Sequence, residues 1–484
     1  MCRFVRSLLL ATTTLTAVPA MAAPTLLAIG TLSGATDLAP STGTLENGLN
    51  GNILGGMGSA LAWAGGYTFL AAPDCGPNAT AYNAAVDDTT SYIPRFQTVT
   101  MALTPNGGAG LPYNLTPTLA ATTLLSSPTA LSYGTGAGLG NKIDGTTPIG
   151  SGAPALNTAN QFFFSGRSDN FAAGVSTNPN NARFDPEGMR VSVDGKSVFV
   201  SDEYGPYVYQ FDRATGQRIR SYALPSTPGT PGNLAVPNLS PVGNTEISGN
   251  TTGRVANKGM EGLAITPDGK TLIGIMQAPL AQDAAIAASN KLLRLVTIDV
   301  ASGATKEYGY LLTTGSGVSE ITAINDHEFL VDERDGNGLG AGNNATNKKI
   351  YKIDLTGATD ISGLSGAAAA AAAVAKNATP VVDLVALLGA NGITRANVPA
   401  KIEGMTFGED LLVNGVVTHT LWIANDNDFV PGVAGPNTFY VVGLTDADLG
   451  GSVFTQQIVP EPMSLAVFSV GLAGIALRRR AKKA

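Results

Sequence analysis

One short pattern recurs along this chain: a strand opening on a glutamate, a turn, and a second strand ending in acidic or amide residues. Asp185-Pro186-Glu187-Gly188-Met189-Arg190 runs through Val193-Asp194-Gly195-Lys196 into Val198-Phe199-Val200-Ser201-Asp202-Glu203. Lys258-Gly259-Met260-Glu261-Gly262-Leu263 runs through Asp268-Gly269 into Ile275-Met276-Gln277. Ser319-Glu320-Ile321 leads to Val331-Asp332-Glu333-Arg334, and Lys401-Ile402-Glu403-Gly404 leads to Asn425-Asp426-Asn427-Asp428. A fainter copy starts at Gly56-Met57-Gly58 and ends at Ala72-Pro73-Asp74. Each copy is too small to bury its own core, so the copies must pack on one another. In a radial array their equivalent positions converge on one axis. That would gather Glu187, Glu261, Glu320 and Glu403 at one channel. Like charges so placed are costly unless a cation sits among them.

The rest of the chain agrees with an all-β fold. Charged residues are 13% of the sequence and Gly contributes 59 residues. Short apolar or alternating runs bounded by Gly, Pro, Asn and Asp dominate, and Asp194-Gly195 and Asp268-Gly269 are hairpin signals. The runs ending at Asp212, Asp299 and Asp354 read as third strands of blades. The expectation is one β-propeller of six or seven blades over residues 23–457. Thr100–Gly150 reads as weak strands and long loops, and Pro225–Val255 as an exposed loop. The alanine run from Gly366 to Lys376 reads as a short helix or a disordered insert.

Both ends carry targeting patterns. Arg3 and Arg6, the apolar run Leu8–Val18 and Ala20-Met21-Ala22 make a secretory signal over residues 1–22, the substrate of a signal peptidase. At the other end, Val459-Pro460-Glu461-Pro462 precedes the apolar run Met463–Leu477 and Arg478-Arg479-Arg480. Residues 458–484 resemble a PEP-CTERM sorting signal, with an ordinary membrane anchor as the alternative. The resemblance implies a transient membrane anchor, cleavage by an exosortase, and delivery to the surface or extracellular matrix of a Gram-negative bacterium. Without both ends, 22 basic and 35 acidic residues remain, a formal charge of −13 against −7 for the whole chain. Such acidity argues against a nucleic-acid partner. Cys2 lies in the signal, so Cys75 has no intramolecular disulfide partner in the mature chain.

Several chemistries are excluded. His327 and His419 are the only histidines, and no Gly-x-Ser-x-Gly elbow is present. This removes a serine triad and a His- or Cys-built zinc site. Gly269-Lys270-Thr271 lies in a strand-turn-strand context, unlike a phosphate-binding loop, and Gly336-Asn337-Gly338-Leu339-Gly340 opens no helix. Oxygen donors remain, which suit calcium before magnesium. The candidate metal ligands are Glu187, Glu261, Glu320, Glu403, Asp332 and Asp426. Glu187, Glu261, Asp202 and Glu203 are candidates for activating water. Arg190, Lys258, Arg334, Lys348 and Lys401 accompany these acids, either as structural salt bridges or as anchors for an anionic substrate.

Taken in order, Asp185-Pro186-Glu187-Gly188, Ser201-Asp202-Glu203-Tyr204-Gly205-Pro206, Asn257-Lys258-Gly259-Met260-Glu261-Gly262, Asp332-Glu333-Arg334-Asp335, Asn347-Lys348-Lys349-Ile350-Tyr351, Lys401-Ile402-Glu403-Gly404 and Asn425-Asp426-Asn427-Asp428-Phe429 resemble the phytase-like, "esterase-like activity of phytase" family. The resemblance spans Gly56 to Leu444. It implies a β-propeller with phosphoesterase or esterase activity. Cys75 stands where that family pattern leads one to expect arginine, which removes one anion contact. Three functions follow as expectations: a metal-assisted phosphoester hydrolase, a non-catalytic calcium-stabilised module binding a partner or extracellular polysaccharide, or a carboxylesterase. Mass spectrometry of the native protein is expected to find the N-terminus just after Ala22 and to lose the segment beyond Pro460-Glu461-Pro462. An intact C-terminus in a host with an exosortase would contradict the sorting assignment.

Overall fold

Apolar runs of four to eight residues closed by tight turns fold into antiparallel hairpins, and hairpins with two apolar faces must be covered on both sides. The computed structural model describes residues 23–78, 89–136, 138–168, 176–237, 250–313, 315 and 317–460. The signal segment 1–22 and the sorting segment from 461 onward lie outside the described residues. Among the described residues no helix is long and apolar enough to cross a membrane.

The hairpins build five antiparallel blades around one axis, four of them four-stranded and the fifth carrying an extra short strand, Leu411–Val413, beside Val416–Asp426. Blade 1 contains Ala60–Trp63, Thr68–Ala72, Arg95–Pro105 and Tyr113–Leu124. Blade 2 contains Pro186–Val191, Ser197–Asp202, Tyr207–Asp212 and Arg218–Ala223. Blade 3 contains Met260–Ile265, Thr271–Met276, Leu292–Asp299 and Thr305–Leu311. Blade 4 contains Gly317–Ala323, Glu328–Arg334, Lys348–Asp354 and Val382–Asp383. Blade 5 contains Lys401–Phe407, Val416–Asp426 and Asn437–Leu444, and its outermost strand is Thr25–Leu32 from the other end of the domain. That pairing runs from Thr25↔Gly443 to Leu32↔Asn437 and ties the two ends of the ring together. The first strands of successive blades touch in a closed circle, blade 5 meeting blade 1.

The six or seven blades expected from the sequence are therefore corrected to five, one for each copy of the repeat. The remaining length goes into insertions: among the described residues between blades 1 and 2 the chain forms the two-residue pairing of Ser126–Ser127 with Phe162–Phe163 and a few isolated bridges. The weak strands expected after Thr100 are also corrected. Arg95–Pro105 and Tyr113–Leu124 form a continuous hairpin, with Val99, Met101, Leu103 and Leu115 buried in the core. The alanine run is helical over Gly366–Ala371, and a second helix, Leu384–Ala390, is capped by the Asp383 carboxylate.

The ring is tight at its centre. A Cβ on Gly188 would stand 2.4 Å from the Leu263 nitrogen, and one on Gly262 would stand 2.8 Å from the Glu320 Cα. Only a residue without a side chain fits between first strands this close. Below these glycines, Arg190 lies on the axis. Its guanidinium donates to the carbonyls of Leu61 (2.9 Å), Met189 (2.5 Å), Ile321 (2.7 Å) and Met405 (3.0 Å) and to Glu320 Oε2 (3.3 Å). Glu320 Oε1 accepts the Leu263 N–H at 2.9 Å. One buried ion pair thus reaches all five first strands.

Beyond Leu444 the chain crosses the face that carries the hairpin turns. The Phe454 ring packs against Phe407 and His419, the Thr455 N–H donates to the Ile324 carbonyl, Gln457 Nε2 donates to the Val191 carbonyl, and Val459 enters the core. This strap covers one end of the axis, and the repeat's acidic residues stand at the other. Replacing Arg190 by Met is expected to cost about 3–5 kcal/mol in denaturant unfolding, because Glu320 is left buried without its partner. The double variant Arg190→Met/Glu320→Gln should recover part of that loss. A single variant as stable as the parent would contradict the axial role.

Candidate functional site

Strand register explains how the repeat presents its side chains. Pro186 pairs with Asp202, Met260 with Met276, Val318 with Glu333 and Ile402 with Asn425, and in every case the register then slips. The slip is a β-bulge, which re-aims a side chain out of the ladder. The residues just after these pairs are Glu187, Glu261, Ser319 and Glu403. Glu320 is one position further on, level with Gly188, Gly262 and Gly404. The expected ring of four glutamates is therefore corrected to Glu187, Glu261 and Glu403, with Ser319 in blade 4. Glu320 belongs to the axial pair beneath.

The second strands supply a companion position in the same register: Glu203, Gln277, Arg334 and Asp426. Each blade thereby carries a different pair. In blade 3, Gln277 Nε2 donates to Glu261 Oε1 at 2.6 Å. In blade 4, Arg334 Nε donates to Ser319 Oγ at 2.5 Å, and its Nη2 reaches Glu403 Oε1 at 2.5 Å and Glu261 Oε1 at 3.6 Å. In blade 5, Glu403 is joined by Asp426, with Lys401 Nζ 2.8 Å from Asp426 Oδ2 and 2.5 Å from Asp428 Oδ1. Blade 2 pairs two carboxylates, Glu187 and Glu203, and adds a third from Asp185. One carboxylate oxygen from each of these three buried side chains lies within 4.8 Å of the others. A second such group, Asp74, Asp426 and Asp428, already contains the Lys401 ammonium.

The electrostatics follow from this contrast. Burial, then Asp74 and Asp202, pushes the Asp185 carboxyl well above its usual range. Burial, then Glu261 and Asp185, does the same to Glu187. Glu203 is pushed up to about 8 by burial and Asp185, with Arg254 opposing. Burial and Glu203 raise Glu261 to about 8, against Arg334 and the Gln277 hydrogen bond. Burial works against charge on Arg334 and Lys401 too, but their carboxylate neighbours outweigh it and raise both. The cluster in blade 2 is the group that strains against its own charge, and protons or a cation would relieve it.

A metal fits there by two observations. All the donors are hard oxygens, as calcium prefers. Glu261 Oε2 is buried and has no hydrogen-bond partner, while Glu203 and Glu187 are among its electrostatic neighbours. Two backbone N–H groups hold the cage in shape: that of Cys75 donates to Asp185 Oδ1 at 2.6 Å, and that of Gly259 donates to Glu203 Oε1 at 3.0 Å.

Of the residues singled out in the sequence, Glu187, Glu203, Glu261, Glu403, Arg334, Lys401 and Asp426 meet at this mouth. Asp202 braces its own turn, accepting from the Asp185 and Tyr204 N–H groups. Asp332 is buried beside Lys348 and Arg334, and burial raises its carboxyl to about 7. Arg190 and Lys348, read as substrate anchors, are withdrawn from the mouth. Lys348 is fully buried, and its ammonium is taken by Asp335 Oδ1 and by the Asp335 and Ala400 carbonyls. Lys258 stands half-buried one residue from Gly259. Sequence reasoning missed Asp185, Asp74, Gln277 and Ser319 as site residues. Asp185 had a signal, since it precedes the Pro186-Glu187 of the repeat.

A 179-residue stretch is 33% identical to an "Uncharacterized secreted protein" of Arthroderma benhamiae, covering 32% of this chain and 34% of that protein. The chain thus spans about a third of the length of this curated relative. Among solved structures, a luciferin-regenerating enzyme matches at 9% identity and a TM-score of 0.32, covering 84% of this chain and 97% of that one. The gluconolactonase XC5397 of Xanthomonas campestris matches at 10% identity and a TM-score of 0.29, covering 88% and 99%. Scores this low carry neither mechanism nor substrate. The phytase-like family model, described as esterase-like activity of phytase, matches residues 52–429, most of the propeller, and the chain belongs to that family.

Proposed function

We propose that this protein is an exported, metal-assisted hydrolase of phosphoric esters. The observation that carries the reading is the buried Asp185–Glu187–Glu203 cluster, three carboxylates with no lysine or arginine bonded to them among the described residues, beside the buried Glu261 Oε2, which has no hydrogen bond among those residues. Calcium would be held by Asp185, Glu187 and Glu203. Bound there, it would polarise the ester oxygens and make a nearby water more acidic. Glu261 faces the cage from blade 3 with Oε1 fixed by Gln277, which leaves Oε2 to take a proton from that water. Arg334 fixes the Glu403 and Glu261 carboxylates and brings positive charge to the mouth, where charge develops on a transferring phosphoryl group. The strap over the far face leaves the mouth as the approach to these groups.

Export rests on the leader pattern and on the secreted relative. Final delivery to the surface or matrix of a Gram-negative cell rests on the sorting-signal pattern of residues 458–484. The non-catalytic calcium module remains the competing outcome of the turnover test below.

Two tests follow. Calcium bound to the folded state alone stabilises it by about 2.7 kcal/mol at 100 times its Kd, so the unfolding midpoint should rise by several degrees over chelator. Glu187→Gln should lose most of that rise. With calcium, the parent should release phosphate from a phosphomonoester and Glu261→Gln should not. Calcium binding with no turnover on any ester would leave the binding module.

The pH dependence has a definite sign. Glu203 and Glu261 have folded pKa values raised to about 8 from 4.5. The folded state therefore binds more protons than the unfolded chain. This stabilisation is complete below about pH 4.5 and is lost as pH rises through about 8. In chelator the midpoint should fall between these pH values, and calcium should abolish most of the fall. A midpoint in chelator that rises over this range would contradict the buried cluster.

A further inference from the structure

We propose that the face carrying the hairpin turns lies against a lipid bilayer while the chain is membrane-attached, with the hairpin of Leu411–Val413 and Val416–Asp426 dipping into the lipid and the mouth turned away. Apolar side chains exposed singly are ordinary, but a group of them on one face marks an interaction surface. Among the described residues the three most exposed large apolar side chains are Ile458, Val453 and Leu412, at 77%, 73% and 70%. All three are on this face. Ile458 and Val453 belong to the strap, which is pinned beside them: Asn325 Nδ2 donates to the Val453 carbonyl and Gln457 Nε2 to the Val191 carbonyl. Leu412 is on the hairpin, directly opposite Val417, and Val413 is opposite Val416. The turn between them is Asn414-Gly415, both at positive φ. Val416 and Val417 are exposed as well, and strand alternation puts them on opposite faces of the hairpin. The last pair that Val416–Asp426 makes with Asn437–Leu444 is His419↔Leu444, so residues 416–418 carry the tip roughly 10 Å beyond the sheet. Apolar side chains on such a projection bury in the boundary between headgroups and acyl chains, roughly 5–10 Å deep.

What covers the face follows from where the chain leaves it. A Cβ on Gly195 would stand 3.3 Å from the Pro460 carbonyl oxygen, so Pro460 lies at the Asp194-Gly195 turn of blade 2. Only Glu461 and Pro462 separate it from the apolar run that starts at Met463. Fully extended, that link spans about 10 Å. An apolar run held by so short a link enters a bilayer only if this face lies against it. The other apolar run, Leu8–Val18, joins the propeller on the same face, since Thr25 pairs with Gly443 at that end of blade 5. The link at blade 2 and the hairpin on blade 5 reach about equally far, on different sides of the axis, and two such contacts keep the face level. Charge adds little: the turns carry Asp194, Asp268 and Asp326 against Lys196 and Lys270, so anionic lipid offers no gain and the contact is apolar. The mouth stands at the other end of first strands of up to seven residues, roughly 20 Å farther out. It opens to water, where dissolved substrates reach it.

The test puts a nitrobenzoxadiazole fluorophore on the full chain carrying Cys2→Ser, either at Leu412→Cys or, on the mouth side, at Val433→Cys, which is exposed in the short helix Pro431–Ala434. Cys75 is buried and takes no label. Each chain is inserted into phosphatidylcholine vesicles. At position 412 the emission should shift to shorter wavelength and be quenched by lipids spin-labelled in the acyl chain, and at position 433 neither should occur. Quenching at 433, or aqueous emission at both positions, would overturn the proposal. A shift at 412 without quenching would mean that a second copy of the chain covers the face and would overturn it too, as would failure of the chain to associate with vesicles. Adding Val416→Asp and Val417→Asp should abolish the shift and the quenching at 412 while the chain stays on the vesicles. A label still quenched in that variant would overturn the inserted hairpin.

Discussion

Arg190 and Glu320 hold the centre of this molecule. Five first strands converging on one axis bring backbone carbonyls and an N–H into a space that water does not freely fill, and buried polar groups need partners. A guanidinium has five donors in a planar fork, enough to serve several carbonyls at once. Arg190 serves four and is neutralised by Glu320, which in turn accepts from the blade missing from Arg190's own set. Burial penalises both charges: it pulls the Arg190 pKa down and pushes Glu320 up to about 8. The pair persists because neither partner could be removed without orphaning the groups around it. It also closes the floor of the mouth.

The mouth depends on that floor and on one backbone device. At four blades the bulge turns the residue after the first pair out of the ladder. The same device delivers Glu187, Glu261, Ser319 and Glu403, and the companion strand delivers Glu203, Gln277, Arg334 and Asp426. A repeated backbone has been given unrepeated chemistry: two acids in blade 2, an acid with an amide in blade 3, a hydroxyl with a guanidinium in blade 4, and acids with a lysine in blade 5. Charge is thus balanced within or between most blades and left unbalanced in blade 2. That imbalance, rather than the number of carboxylates around the axis, is what locates the candidate metal site.

The amino-acid sequence alone determined the fold class, because period-two apolar runs, Asp-Gly turns and a recurring strand-turn-strand unit admit little else. It did not determine the number of blades: six or seven were expected, and the structure has five, one for each copy of the repeat. It identified Glu187, Glu203, Glu261, Glu403, Arg334 and Lys401, because all of them sit at fixed offsets within the repeat. What it could not separate was equal spacing from equal depth. Glu320 looks like the other glutamates in the linear pattern, but a bulge counts residues differently from a ladder, and one position decides between mouth and axis. Nor could the sequence show which cations were engaged. Lys348 meets Asp335 and Ala400, and Arg190 meets strands of three other blades, through contacts that span up to 215 residues. Such partners are chosen by closure of the ring, which brings distant segments within hydrogen-bond reach, so only the tertiary structure decided which charges are left to act on a ligand.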